Sequence, residues 1–279
     1  QHLHIQADMD RNTFCDKVRR AQEYIASGDI YQVNLSQRFT IPQLQPEHAW
    51  ALYEKLRAIS PAPYGGFWDE GSHIVLGVSP ESFLRFDGNQ VRSQPIKGTR
   101  PRGGNPQHDH GATKELIESP KERGELLMIT DLLRNDLGQI ARTGSVQVPE
   151  LIRLRSFSHV HHLFSTITAQ LRDDIGPAAA LEACFPGGSI TGAPKLRARE
   201  IISELEPVPR GIYTGTQGFI NPNGLAHFNI AIRTAILGPH GLSFHVGAGI
   251  VADSQPELEY EETLHKGRGL AEALGIQLG

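Results

Sequence analysis

Cysteine is nearly absent: Cys15 and Cys184 are the only two in a chain of 279 residues. Two thiols cannot build a disulfide framework or a cysteine-rich metal cluster, and they read as reduced thiols of a cytoplasmic protein. No apolar run approaches the roughly 20 residues needed to cross a bilayer, and the N-terminus has neither the basic start nor the apolar stretch of a signal peptide. No membrane partner is expected. An excess of charge is missing too: 27 Lys plus Arg face 31 Asp plus Glu, a formal charge of -4, so nothing suggests a nucleic-acid surface. What remains is ordinary for a globular protein, with 39% hydrophobic and 21% charged residues. That is enough to bury one large core or two packed halves, and a small-molecule substrate is the expectation.

Phe14, Val18, Ala21 and Ile25 recur at helical spacing and stop at Ser27-Gly28-Asp29, which predicts a first helix. Ile30 to Leu35 alternates as a strand, and His48 to Ile59 reads as a second helix. Short strands follow around Gly66 to Trp68, Ile74 to Val78, Ser82 to Phe86 and Val91 to Pro95, the last two joined by the turn signal Asp87-Gly88-Asn89. One long helix is expected over Lys114 to Leu137, broken or bent near Pro120. Strands near Val146 to Val148 and His161 to Thr168 precede a helix near Ala178 to Cys184. The glycine-rich run Pro186 to Pro194 feeds a helix through Glu204. Strands over Ile212 to Ile220, Ala226 to Leu237 and Leu242 to Val246 then lead to a C-terminal helix from about Pro256. Strands in runs, without strict strand-helix alternation, favour an α+β fold with largely antiparallel sheets.

Two carboxylate pairs stand out. Glu259 and Glu262, with Lys266 at i+7, project from one face of the C-terminal helix, and Glu122 and Glu125 repeat the i, i+3 spacing on the central helix. Four hard oxygen donors suit Mg²⁺, although glutamates on helices are also ordinary solvated surface. Glu81, in Ser79-Pro80-Glu81, ends a strand in a turn where a general acid could sit. Lys97, between Pro95 and Gly98 just beyond a predicted strand, is either a surface cation or, if desolvated, a nucleophile that Arg100 and Arg102 would help to keep uncharged.

Other motifs fail on inspection. After Gly192 come Ala193 and Pro194, where a phosphate loop requires Lys and then Ser or Thr. Gly247-Ala248-Gly249-Ile250-Val251-Ala252 fits a loose dinucleotide pattern, but the helix does not open at these glycines. A backbone cradle for a carboxylate is the more natural use. His159, His161 and His162 lack a nearby cysteine and alternate in facing, so at most one lines a site.

In this order the segments Gly28 to Leu35, Gly77 to Glu81, Pro95 to Arg102, Lys121 to Asp136, His161-His162-Leu163, Pro186 to Lys195 and Gly247 to Lys266 resemble the chorismate-utilising family. Anthranilate, isochorismate, salicylate and aminodeoxychorismate synthases belong to it. The resemblance spans nearly the whole chain and implies two packed, largely antiparallel sheets with helices outside and a site between the sheet layers. It implies that Glu122, Glu125, Glu259 and Glu262 bind Mg²⁺, which holds the ring carboxylate of chorismate, and that Glu81 helps the C4 hydroxyl to leave. Gln32, Thr99, His162, Ser189, Thr191 and Lys266 would line the substrate site. Tyr213 and Arg233 would bind the enolpyruvyl carboxylate, Arg233 with a planar guanidinium that can grip it bidentately, and the Gly247, Ala248 and Gly249 backbone would help to fix an anion.

Within the family, anthranilate and salicylate synthases usually carry alanine at the position of Lys97, and aminodeoxychorismate synthases carry lysine. Members that add water or make salicylate have lysine where this chain has Gln32. Both residues imply amination at C4 through a covalent lysine intermediate. Ammonia would come from a separate glutamine amidotransferase, since no glutaminase arrangement is recognisable here. The resemblance also implies an N-terminal portion that this chain lacks, leaving residues 1–279 as a single chorismate-binding catalytic domain. The alternatives are an anthranilate synthase component, a chorismate-binding module without turnover, and, resting on Gly247 to Ala252 alone, a nicotinamide-dependent oxidoreductase.

Overall fold

The computed structural model describes residues 3–102, 105–156 and 160–278; His159 lies outside them. The chain opens with β1 (Gln6–Ala7), α1 (Arg11–Ala26), β2 (Gln32–Ile41) and α2 (Ala49–Ile59). Five strands follow: β3 (Tyr64–Asp69), β4 (Ile74–Ser79), β5 (Ser82–Asp87), β6 (Gln90–Gln94) and β7 (Ile96–Pro101). Then come α3 (Pro106–Glu118), α4 (Pro120–Ile140), β8 (Gln147–Ser156), β9 (Val160–Gln170) and α5 (Pro177–Cys184). The last part holds β10 (Gly192–Ala193), α6 (Lys195–Leu205), β11 (Gly218–Ile220), β12 (Leu225–Asn229), β13 (Thr234–Gly238), β14 (Gly241–Ile250) and α7 (Pro256–Leu274). Every pairing among the described strands is antiparallel, as the α+β reading expects.

The chain forms two compact units. The first comprises residues 1–80, 190–217 and 230–279. Its sheet runs β1-β2-β14-β13-β4-β3, with β10 also on β2. Strict alternation sorts the side chains. Val33, Leu35, Phe39 and Ile41 of β2 and Leu242, Phe244, Val246, Ala248 and Ile250 of β14 join apolar residues of the helices in two cores. One core holds Leu52 and Leu56 of α2 with Leu270 and Leu274 of α7. The other holds Phe14 and Val18 of α1 with Ile201 and Leu205 of α6. Each large apolar side chain so buried contributes about 1.5–3 kcal/mol. The intervening residues, Gln32, Asn34, Ser36 and Arg38 on β2 and Ser243, His245, Gly247 and Gly249 on β14, necessarily form the opposite, polar face.

The second unit comprises residues 81–189 and 218–229. Its sheet runs β11-β12-β5-β6-β9-β7, with β8 on the other side of β9. β6 and β7 both pair with β9, at its C-terminal and N-terminal halves respectively. Pro95 joins them, lacking an N–H but accepting a hydrogen bond from Ser165 N at 3.3 Å. α3 and α4 cover one face, where Leu116, Leu126 and Leu163 meet.

Several expected elements come out differently. The helix over 114–137 is broken at Pro120, one of the two outcomes expected there, because Ser119 caps α4 by accepting from Glu122 N at 3.3 Å and Pro120 occupies its first turn, a position that opens a helix. The strand expected to end at Pro95 continues as β7, so Lys97 lies inside a strand. β8 runs on to Ser156. Residues 212–217 form turns, leaving only β11 of that expected strand. The strand over 226–237 is two, β12 in the second unit and β13 in the first, interrupted at 230–233 where Arg233 has φ +49.

Candidate active site

In the first unit, the polar face of β14 carries the glycines that the sequence singled out. Gly247 stands opposite Ser36 and Gly249 opposite Asn34. Ser36 N, however, donates to Glu206 Oε1 at 2.8 Å and Asn34 N to the Thr191 carbonyl at 2.8 Å. These are therefore the non-hydrogen-bonded pairs of the antiparallel ladder, and the N–H and C=O of Gly247 and Gly249 turn away from β2. On that side β13 has already ended, opposite Phe244. The glycine run is thus strand where a loop was expected, yet two of its amides face the open flank and Ala248, on the alternate phase, faces the ladder. Lys266 Nζ reaches the Gly247 carbonyl at 3.0 Å and Glu262 Oε1 at 2.7 Å.

The missing side chains make room as well. A Cβ on Gly247 would lie 2.9 Å from the Tyr213 hydroxyl, and one on Gly249 would lie 2.8 Å from Gln32 Nε2. Gln32 is buried and its Oε1 has no hydrogen-bond partner, a costly state for an amide with no ligand. The Tyr213 ring stacks on His245, with centroids 5.1 Å apart and planes at 11°, and the Arg210 guanidinium lies 5.8 Å from its centroid. Burial, opposed by Arg210, pushes the Tyr213 phenol up to about 12, so the hydroxyl stays protonated and can donate.

Thr214 N donates to the Ala231 carbonyl at 2.8 Å and Ala231 N to Gly215 at 2.9 Å, which joins the Tyr213 segment to the one carrying Arg233. Two left-handed non-glycine residues, Thr214 (φ +61) and Arg233 (φ +49), occur on these adjoining segments, a clustering of backbone strain typical of functional sites. Burial lowers the Arg233 pKa. Among the described residues its guanidinium has no hydrogen bond or ion pair, so a desolvated cation is left to meet an anion.

The second unit builds its group on β7. Lys97 Nζ is 3.4 Å from Glu125 Oε2, with side chains 17% and 11% exposed. Arg100 bridges Glu115 at 2.9 Å and Glu122 at 3.6 Å, and Arg102 meets Asp109 at 3.2 Å. Both arginines are thus engaged by carboxylates. His162 Nδ1 lies 3.0 Å from Thr99 Oγ1 and 3.2 Å from the Gly98 carbonyl. A carbonyl only accepts, so this contact favours the tautomer with its proton on Nδ1. His161 is buried between Ser156 Oγ and Asp109, a tie between β9 and α3. Glu81 is buried in the link between β4 and β5, and Ser189 and Thr191 are buried on either side of Ile190.

The sequence pattern of chorismate binding enzymes matches residues 1–272. The chain belongs to that family. It is 46% identical over 261 residues to aminodeoxychorismate synthase component 1 of Escherichia coli, covering 94% of this chain and 57% of that protein. It is 44% identical over 270 residues to anthranilate synthase component 1 of Thermus thermophilus, covering 97% and 58%. The anthranilate synthase component I structure from Streptococcus pneumoniae superposes with a TM-score of 0.87 at 35% identity, over 97% of this chain and 60% of that one. The chain therefore spans less than three fifths of the length of the two curated relatives. Among the described residues no helix is long and apolar enough to cross a membrane.

For this chorismate binding enzyme, the expected Mg²⁺ is tested by the donors present. Among the described residues no three of His, Cys, Asp and Glu form a metal-holding group. Glu122 and Glu125 face α4's partly buried side, and Glu259 is buried on α7 with its Oε1 accepting from Ser254 Oγ at 2.6 Å. Carboxylate oxygens held this way, three of them against Lys97, Arg100 and Lys266, fit a hard cation.

Sequence reasoning missed Glu206, Arg210 and His245. Glu206 and Arg210 stand at i, i+4 but lie outside any predicted helix, so their spacing carried no signal. His245 shares the alternating face of Gly247 and Gly249, a signal available once the strand expected over Leu242 to Val246 is extended forward to Ile250.

Proposed function

We propose that this chain aminates chorismate at C4 to give 4-amino-4-deoxychorismate, with Lys97 as nucleophile. Lys97 carries the reading. It is a lysine where anthranilate synthases usually have alanine, and its side chain is only 17% exposed on a strand, beside Glu125. A surface cation would have neither feature.

In this reading Lys97 forms a bond from the Nζ lone pair to C2. The two conjugated ring double bonds each shift by one position and the C4–O bond breaks, with Glu81 giving the proton that lets the hydroxyl leave as water. Ammonia then adds at C4, both double bonds shift back, the C2–N bond breaks to return the lysine, and the new ammonium gives a proton back to Glu81. The sum is chorismate plus ammonia to product plus water. Tyr213 donates and Arg233 pairs with the enolpyruvyl carboxylate, and the Gly247 and Gly249 amides supply two further N–H groups for an anion. Thr99 and His162 contact the ring, with Gln32, Ser189, Thr191 and Lys266 around it. Glu122, Glu125, Glu259 and Glu262 are the residues that would hold Mg²⁺, which would neutralise the ring carboxylate. Ammonia is supplied by a glutamine amidotransferase partner in the cytoplasm. A second reading, anthranilate synthase component 1, is favoured by the 44% identity to the Thermus thermophilus protein.

Product analysis of the purified chain in chorismate, Mg²⁺ and high ammonium decides between them. The expected product is 4-amino-4-deoxychorismate, with a rate about 10³-fold lower or less in Lys97→Ala, the scale on which a lost nucleophile is felt. Anthranilate with pyruvate from the native chain would move the assignment to the second reading, and binding of chorismate without turnover would leave a binding module.

A further inference from the structure

The ladder between β7 and β9 skips one residue. Lys97 stands opposite Leu163 and Thr99 opposite His162, so Gly98 is an extra residue, a bulge, with a left-handed φ of +69. In a regular strand Lys97 and Thr99 would share a face. Here they are matched to consecutive residues of β9, which point to opposite faces, so Lys97 turns to α4 and Glu125 while Thr99 turns to His162.

The left-handed backbone explains a glycine, but this glycine does more. A Cβ at Gly98 would meet Leu116 Cδ1 at 2.6 Å, Glu122 Oε2 at 3.0 Å and Glu122 Cδ at 3.1 Å. Gly88 and Gly144, in the same unit with φ +59 and +79, have nothing within 4 Å of such an atom. The space a side chain would fill at Gly98 is taken by a carboxylate. The other oxygen of that carboxylate, Oε1, faces Arg100 at 3.6 Å, and the start of α4 beneath it is fixed by the Ser119 cap.

We propose that Gly98 is a positioning residue for Glu122: the bulge provides the seat in which this carboxylate lies, and so sets the geometry of a metal ligand. The inference rests on the reading of Glu122 as a Mg²⁺ ligand. A methyl group at Gly98 displaces Oε2 from its seat, whereas the same left-handed strain without that contact does not.

The test is Mn²⁺ binding, read by electron paramagnetic resonance with Mg²⁺ in competition, for the native chain, Gly98→Ala, Glu122→Gln and Gly88→Ala. Gly98→Ala is expected to weaken Mn²⁺ by about 10- to 100-fold, the range seen when the support of a metal ligand is lost, and to approach Glu122→Gln. Gly88→Ala keeps native affinity even where its melting temperature falls as far as that of Gly98→Ala. Native affinity in Gly98→Ala, or an equal loss in Gly88→Ala, overturns the inference while leaving the metal reading intact. Failure of the native chain to bind Mn²⁺ overturns both. Should Gly98→Ala not fold, the double variant Gly98→Ala with Leu116→Ala removes the 2.6 Å contact, keeps the one to Glu122, and is read in the same way.

Discussion

The first unit seals its central ion pair, and the second leaves its pairs within reach of a ligand. Glu206 and Arg210 are bound twice, at 2.6 and 2.8 Å, with side chains 5% and 12% exposed. Their remaining capacity is used: Arg210 donates to the Asn34 and Ile190 carbonyls, and Glu206 accepts from both the amide and the hydroxyl of Ser36. Burial works against the Arg210 charge, but the Glu206 hydrogen bonds and charge outweigh it and hold the pKa above its ordinary value. Between β7 and the two α4 carboxylates the contacts are longer, 3.4 Å for Lys97 with Glu125 and 3.6 Å for Arg100 with Glu122. A satisfied pair in a dry setting cannot change partners without a large cost. Longer, partly solvated pairs can trade a protein partner for a substrate or a cation.

Breaking the sealed pair has the largest expected effect. Glu206→Gln leaves Arg210 buried without its counter-charge, and urea unfolding should show a loss of about 3–5 kcal/mol. A loss below about 1 kcal/mol would mean that water reaches the pair and that the contrast between the units is unfounded.

A smaller effect tests how dry that face is. Burial first, then Arg38 and Arg210, holds the His245 pKa down to about 3. The folded ring stays neutral while the unfolded one takes a proton below about pH 6.5, so the unfolded state binds more protons between these limits. His245 thus costs nothing above about pH 6.5, and stability falls as pH drops below it by up to about 1.4 kcal/mol per unit. Asp8, whose carboxyl burial holds above its ordinary range, acts with the opposite sign. Comparison with His245→Gln isolates the histidine, and equal slopes in the two proteins would refute its burial in neutral form.

The smallest effect belongs to the open pairs. Glu122→Gln, at a side chain 20% exposed, should change unfolding free energy by no more than about 1 kcal/mol, even where it abolishes metal binding. A loss as large as that of Glu206→Gln would make Glu122 part of the framework.

Much of this was legible from residue order. Short strands were expected where β4, β5 and β6 lie, and Asp87-Gly88-Asn89 marked the turn between the last two. The i, i+3 glutamates were correctly placed on α4 and α7. The bulge hid β7, because an inserted Gly98 reverses the phase of alternation and Pro95 reads as a stop. Arg233 and Thr214 gave no local sign of their left-handed backbone, since neither residue type favours it and only the surrounding contacts impose it. His245 and Arg210 were opaque for a similar reason: their neutral or paired state is a product of burial, which no window of sequence reports.

The second unit takes its last two strands, β11 and β12, from residues that follow a long excursion through the first. β12 pairs with β5, joining Leu225 to Asp87 and Asn229 to Ser82. That hairpin-like contact closes a loop of about 140 residues, with a chain-entropy cost of about 4 kcal/mol before any pairing is gained. During synthesis the edge of β5 therefore waits for its partner until residues 225–229 have also left the ribosome. A cut at any single point cannot separate the two units, and a gene fragment encoding 81–189 alone would present that unpaired edge to its neighbours as a template for aggregation.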